Sequence, residues 1–338
     1  MKIYITLDYE LKLEVNPGTV KNCLIRPMNQ LMKICDKHNV KLNIFVDSAY
    51  LYRILQLKDG HPALVKDYDD VVENVKLMNE KGHSIQYHFH PQWLFSEYDD
   101  EKGWLMDFDH YKLSDVPQSI LDETFSKGVE LLNSITGKKV CAFRAGGYSL
   151  CSSDYYIPLF EKNGIKVDSS VLTRYHVKSK LQTYDYRRIP DKSRYYFYDN
   201  VCEEVSGNSK SFIEMPISVS NGISSIKYII NKKKWEKELN PKVVYADGGG
   251  GGQMPKFERL KQLLAKFFGK IHIRASIDNI DSINLWRVYK DNKDRGRNEL
   301  VVIGHPKITS DASLRNVEKW IGDMISEGNK FHTLDELV

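Results

Sequence analysis

Short apolar runs recur along this 338-residue chain, each followed by apolar residues at helical spacing, and that alternation admits few architectures. Strands are predicted at residues 3–7, 40–46, 84–87, 139–143, 165–168, 271–275 and 300–303. Between them, Leu24, Met28, Leu31 and Cys35 share one helix face, with Pro27 tolerated near the helix start. Val71 or Val72, Val75 and Met78 define a second helix, which Gly82 can close in the left-handed conformation. Further helices follow Pro117 (Leu121, Phe125, Val129, Leu132), span 152–163 up to Gly164, and end the chain with Leu314, Val317, Ile321 and Met324. Strand, helix, strand repeated in this way implies a parallel sheet covered by helices, and one α/β domain over 1–338 is expected.

The rhythm breaks in three places. Residues 98–111 are aromatic, acidic and irregular, as in a long loop over one end of a sheet. From 174 to 240 only short strand-like pieces recur, at 194–200 and 212–216, which suggests an insertion or excursion. Glycines 248–252 lie between an expected strand at 243–246 and a helix starting near Pro255, a place for a mobile loop; the Lys-Ser or Lys-Thr of a phosphate-cradling loop does not follow them.

Charge narrows the function. Lys and Arg number 49 against 45 Asp and Glu, a net charge of +4 without a sustained basic arm, so nucleic acid is not implied as a partner. The densest basic run, Lys232 to Lys234 before Trp235, reads as a solvated helix face. No stretch approaches the roughly eighteen apolar residues that cross a bilayer. The chain runs from Met1-Lys2 straight into an apolar strand, and its five cysteines, Cys23, Cys35, Cys141, Cys151 and Cys202, show no paired spacing. A cytoplasmic, reduced protein without signal peptide or transmembrane segment is expected, with peripheral membrane association open.

The informative pattern is at the strand ends, where Asp8, Asp47, His88, Arg144, Asp168 and His305 follow buried runs. Loops beyond the carboxyl ends of parallel strands bring such groups together. Asp8 and Glu10 are two apart, on one side of an extended chain, and two carboxylates in proximity need a cation or a shared proton. His88 and His90 likewise share a side; with a carboxylate, two imidazoles form a normal shell for zinc or a similar divalent metal, the alternative being an ordinary hydrogen-bonded pair. His305 titrates near neutrality and can protonate a leaving group. Arg144 after a core strand wants a carboxylate, which Asp8 or Asp168 could supply. Gly146 and Gly147 permit close backbone approach, by a tight turn or to an oxyanion. Trp93 could wall a sugar site or simply fill the core, and Tyr148 and aromatics of the 98–111 loop suit the flat face of a sugar ring.

With these residues in place, the chain resembles the polysaccharide deacetylase superfamily, the NodB-like deacetylases, in order over nearly its whole length. Thr6-Leu7-Asp8-Tyr9-Glu10 is similar to the first motif, whose leading aspartate is the catalytic base; Asp8 would take that role. Gly82-His83-Ser84-Ile85-Gln86-Tyr87-His88 resembles the segment before the first metal histidine, which assigns a ligand role to His88. Phe143-Arg144-Ala145-Gly146-Gly147-Tyr148 resembles the motif whose arginine orients the base. Asp168 stands where the family supports its catalytic histidine, and Ile303-Gly304-His305 resembles the motif that supplies that histidine, the general acid.

Two departures mark the chain as similar to a divergent branch with Asp-x-Glu and His-x-His-Pro signatures, found among surface-polysaccharide biosynthesis proteins. Tyr9 replaces the usual second aspartate and Glu10 follows; Gln92 replaces the usual second histidine and His90 precedes it. The resemblance implies a distorted or incomplete (β/α) barrel. It implies Glu10, His88 and His90 around one divalent metal ion, zinc by preference, with Asp8 the alternative acidic ligand, and metal-dependent hydrolysis of an N-acetylated saccharide. Hydrolysis of a non-sugar amide, or an inactive carbohydrate-binding or scaffold protein, are the alternatives.

Overall fold

Alternation along the first strand sets the plan of the molecule. In β1, Lys2–Tyr9, the side chains of Ile3, Ile5 and Leu7 join the large core shared with the helices, whereas Tyr4 belongs to a second core on the opposite face. Thr6 and Asp8 follow Tyr4 on that second face by the two-residue period of a strand. Both faces are covered, which is why the run reads as almost continuously apolar.

The computed structural model describes residues 1–150, 153–208, 210–239, 245–248 and 270–338. The expected strand at 243–246, the glycine run and the helix near Pro255 fall wholly or partly outside these residues. Beside β1, the main sheet contains β2 (Asn43–Asp47), β3 (Ser84–Phe89), β4 (Ala142–Ala145), β5 (Val167–Asp168), β6 (Tyr195–Phe197), β7 (Phe212–Glu214), β8 (Glu299–Gly304) and β9 (Lys330–Phe331). The order is β6-β7-β5-β4-β3-β2-β1-β8, and β9 pairs with the start of β1. All these pairings are parallel except that of β6 with β7. The sheet curls into an incomplete, distorted barrel, whose inner face carries Tyr4, Phe45, Ala142, Val301 and Ile303. Single bridges, Leu172 to Ile217, Val219 to Arg274 and Ser276 to Ile303, link the far ends of the curl.

Helices α1 (Arg26–His38), α2 (Ser48–Leu57), α3 (Pro62–Glu80), α4 (Gln118–Thr136), α5 (Ser153–Asn163), α6 (Ser225–Leu239), α7 (Leu285–Asp294) and α8 (Asp311–Ser326) cover the outside. Gly82 and Gly164 take positive φ after α3 and α5, as their positions demand. Helix α2 has no counterpart in the sequence reading. Asp47 ends β2 and caps α2 at once, with its carboxylate facing the Tyr50 amide, so no turn residue separates the two elements. The 98–111 segment is not wholly irregular: residues 97–99 and 103–105 pair as a short hairpin that buries Trp104. Within 174–240, β6 and β7 extend the main sheet and α6 presents Lys232 to Lys234 outward while burying Trp235.

Candidate metal centre and flanking acid–base pair

Parallel register places the carboxyl ends of neighbouring strands together. Asp47 pairs with His88, and His88 with Arg144, so residues far apart in the chain share one end of the curl. Asp8, Glu10, His88, His90 and Arg144 are all at most 3% exposed. Such a density of buried polar groups stands only if they satisfy one another or a bound cation.

Glu10 is the hub. Its Oε2 lies 2.7 Å from His90 Nε2 and 3.1 Å from His88 Nε2, and its Oε1 accepts a 2.9 Å hydrogen bond from Lys307 Nζ. Lys307 is buried too and donates again to the Leu11 carbonyl at 2.6 Å. Burial alone would push the Glu10 carboxyl up, but Lys307 and the two histidines outweigh it and hold it well below the usual range.

Asp8 is committed elsewhere. Its Oδ1 accepts from Arg144 Nη1 at 2.6 Å, and its Oδ2 lies 3.4 Å from His305 Nε2. Burial again works against the charge, and Arg144, His88 and His305 reverse it, so Asp8 stays ionised. The remaining Arg144 donors go to the Ser169 carbonyl (2.8 Å), Thr6 Oγ1 (2.8 Å) and Ser169 Oγ (2.9 Å), and the guanidinium sits 4.3 Å over the Phe45 ring. A guanidinium held at so many points has no freedom to leave Asp8.

His305 follows β8 and is oriented by Asp278. The Asp278 carboxylate accepts from His305 Nδ1 at 2.8 Å and from the His305 amide at 2.7 Å. Burial lowers the pKa of the ring, but Asp278 and Asp8 raise it to about 9, so the imidazole is cationic at neutral pH.

Asp168 was expected to support His305, and the structure corrects this. Strand β5 lies between β4 and β7, several strands from β8, and the Asp168 carboxylate accepts from Ser170 Oγ (2.7 Å) and the Ser170 amide (3.1 Å). Glu214 on the adjacent β7 hydrogen-bonds to it; burial and the Asp168 charge push the Glu214 carboxyl well up, so that this pair holds a proton between them. Asp278 arrives because residues 275–277 run alongside β8, with the Ala275 carbonyl and Ile277 amide bonded to Ile303. The sequence did carry the signal, a polar residue just beyond the strand expected at 271–275. Lys307 had none, beyond its closeness to His305.

Trp93 is a second correction. It is fully buried, with its ring 4.6 Å from Tyr50 and 5.0 Å from Trp104, and so cannot wall a sugar. Its size and apolarity are used where α2 meets the 97–105 hairpin. Gly146 lies against His90: a Cβ there would come within 2.6 Å of His90 Nδ1, so the missing side chain admits the imidazole. Gly147 and Tyr148 both take positive φ, of 58° and 61°, and the Tyr148 carbonyl accepts from Tyr186 Oη at 2.8 Å. A tyrosine in that conformation is strained and is held by its surroundings. Tyr111, from the 98–111 segment, sets its ring 5.7 Å from His90.

The donor set fits a divalent cation. His88 Nδ1 is 2.7 Å from the Arg144 carbonyl, which accepts only if that nitrogen carries the proton. In the neutral ring Nε2 then bears a lone pair and faces the Glu10 carboxylate oxygen, acceptor to acceptor. A proton or a metal must lie between them, and an imidazole fixed through its other nitrogen is an ordinary metal ligand. Among the described residues, Glu10, His88 and His90 present ligand atoms within 4.8 Å of one another, and Asp8, Glu10 and His305 do so as well. His90 Nδ1 and Asp47 Oδ2 are left without hydrogen-bond partners there. A buried cluster of two histidines with Asp and Glu is typical of metal-dependent hydrolases.

No protein-family model matches the sequence, and no curated protein matches it. Among solved structures, a polysaccharide deacetylase candidate from Mycobacterium smegmatis superposes with a TM-score of 0.55 at 14% identity, over 99% of this chain and 88% of that one. A polysaccharide deacetylase candidate from Pseudomonas aeruginosa PAO1 gives 0.48 and the Puue allantoinase 0.47, each at 12% identity over 99% of this chain and 88% of the other. The first of these carries the fold comparison: the chain has a distant, low-identity link to the fold of the polysaccharide deacetylases.

Proposed function

We propose that the chain is a metal-dependent hydrolase that removes the N-acetyl group of a sugar or saccharide intermediate in surface-polysaccharide biosynthesis. The observation that carries this reading is the juxtaposition of two units at one end of the curled sheet: Glu10 faced by two imidazoles, and Asp8 held between Arg144 and the His305–Asp278 pair. Glu10, His88 and His90 would hold the cation, zinc being preferred by a carboxylate and two imidazoles. When bound, such an ion supplies Lewis-acid polarisation of the acyl carbonyl and of a water.

The chain's own residues do the rest. Asp8, ionised and fixed by Arg144, accepts the proton of the attacking water. His305, cationic and held in one orientation by Asp278, donates a proton to the departing amine nitrogen. Arg144 keeps Asp8 from swinging onto His305 and discharging it. Tyr148, Gly147 and Gly146, which follow Arg144 beside His90, are the residues against which a sugar ring would rest. No helix among the described residues is long and apolar enough to cross a membrane. A cytoplasmic location and peripheral association with a polysaccharide-assembly system belong to the same proposal.

A second reading is favoured by one contact. Lys307 already places a cation on Glu10, so the cluster could stand without metal in a carbohydrate-binding protein that does not hydrolyse. Elemental analysis separates the two. About one divalent metal per chain, lost in His88→Ala/His90→Ala, supports the hydrolase, and acetate release from N-acetylated sugars against a cyclic-amide control then identifies the bond. Absence of metal after reconstitution sinks the hydrolase reading and leaves the binding protein.

A further inference from the structure

A cavity of about 740 Å³ lies outside the cluster just described, between α6 and the extended chain that begins at Lys270. Its floor is apolar, made by Tyr175, Tyr228, Ile229 and Ile271. Its rim is basic: Arg174, Lys232, Lys233 and Lys270, with His176 and His272, against Glu236, which lies 3.7 Å from Lys232, and Asp191, which lies 3.4 Å from Arg174. Among the described residues, neither Lys233 nor Lys270 has an ion-pair partner. The pattern arises from two periodicities. Residues 228, 229, 232, 233 and 236 fall on one face of α6, three and four apart. Lys270, His272 and Arg274 alternate onto one side of the extended chain, which bonds to residues 218–224 through Ser220 and Ser218.

That stripe leads to the candidate centre. Arg274 pairs with Asp281 at 3.0 Å and approaches Asp278 at 3.6 Å, and Asp278 holds His305. The backbone at His272 is pinned by a hydrogen bond from Tyr175 Oη to its carbonyl, and its Nδ1 lies 3.0 Å from the Ser220 carbonyl. Burial, and after it the neighbouring cations Arg174, Arg295 and Lys270, hold the His272 pKa below its usual value. Arg174 itself has a φ of 68°, which puts a non-glycine residue in a strained conformation at the rim.

We infer that this cavity binds a saccharide carrying an anionic substituent, a phosphoryl or carboxylate group, with the sugar ring on the tyrosine floor and the anion on the basic rim. The inference rests on the carbohydrate reading proposed above, because the floor and rim together suit a ring with a charged group rather than a bare anion. A ligand bound there would be an anionic sugar or an anionic residue of a longer chain.

The test is calorimetric titration of the full chain with N-acetylglucosamine 1-phosphate, glucuronate, N-acetylglucosamine and inorganic phosphate. Each is titrated into wild type, Lys233→Met/Lys270→Met and His88→Ala/His90→Ala. At least one anionic sugar is expected to bind at least about tenfold more tightly than neutral N-acetylglucosamine, since charge-assisted hydrogen bonds are at stake. Whichever anionic sugar binds identifies the substituent. Loss of that preference in the lysine variant and its retention in the histidine variant support the cavity. Equal binding of neutral and anionic sugars, inorganic phosphate as tight as the sugar phosphate, or an unchanged lysine variant overturns it. Failure of the hydrolase reading is separately visible: the histidine variant and the metal assay can both speak against catalysis while the anionic sugar still binds.

Discussion

The contacts around His305 and Glu10 show how much chemistry turns on single side chains. His305 has its pKa raised in the folded state, so its contribution to stability is fully present below about pH 6.5 and is lost as pH rises through about 9. Asp278→Asn removes the principal cause. In metal-free protein, the His305 ring should then titrate at least one unit lower by NMR, and stability should decline less between those two pH values. An unchanged titration would mean that Asp8 alone holds the proton. Lys307 tests the second unit. Removing a partner from a buried ion pair costs about 3–5 kcal/mol, so Lys307→Met should destabilise the metal-free protein by roughly that amount and the metal-loaded protein by clearly less, because a bound cation restores a charge beside Glu10. Equal losses in chemical denaturation of both forms would show that the lysine and the metal do not share this carboxylate.

Elements position these residues through close packing of their backbones. Gly304 ends β8 beside His305, and a Cβ at that position would overlap Ile277 and approach Leu7 at 2.9 Å. The absent side chain is what lets residues 275–277 lie against β8 and deliver Asp278 to His305. Gly304→Ala is expected to cost about 1–3 kcal/mol by overpacking and to lower the His305 pKa as Asp278→Asn does; a stability loss with the titration intact would uncouple the packing from the pair. The same scale explains where the sequence was readable. Helices α1, α3, α4 and α8 show their apolar stripe plainly, and Pro27, Gly82 and Pro117 mark boundaries of the first three. Helix α2 was hidden because Asp47 serves β2 and α2 together and because Tyr50, Tyr52 and Ile54 suit a strand as well as a helix.

At the scale of the molecule, the centre joins parts of the chain that only the side-by-side pairing of β1 with β8 brings together. Glu10 and Lys307 are separated by nearly the whole sequence, as are Thr6 and the Val302 carbonyl that accepts its hydroxyl at 2.9 Å. A cation bound by Glu10, His88 and His90 therefore ties β1 to β3, and any group that binds only the folded state stabilises all of it. At about a hundredfold excess over Kd the gain is about 2.7 kcal/mol, which for a chain of this size is a few degrees in Tm. Chelation should lower Tm by that amount and added zinc restore it, whereas His88→Ala/His90→Ala should respond to neither. A chelator response that survives in the variant would place the metal elsewhere.

The local code of the sequence determined the parallel α/β architecture, most of the strands and helices, and the residues whose chemistry is concentrated at strand ends. Periodicity and backbone stereochemistry act over a few residues, so Asp8, Glu10, His88, His90, Arg144 and His305 could all be singled out from their neighbours alone. Their partnership was another matter. That Glu10 faces the histidines while Asp8 faces Arg144, that Asp278 rather than Asp168 holds His305, that Trp93 is core and that Lys307 reaches Glu10 were decided only by the tertiary structure, because strand order and the direction of the curl set which ends meet, and neither is written in any short stretch of the chain.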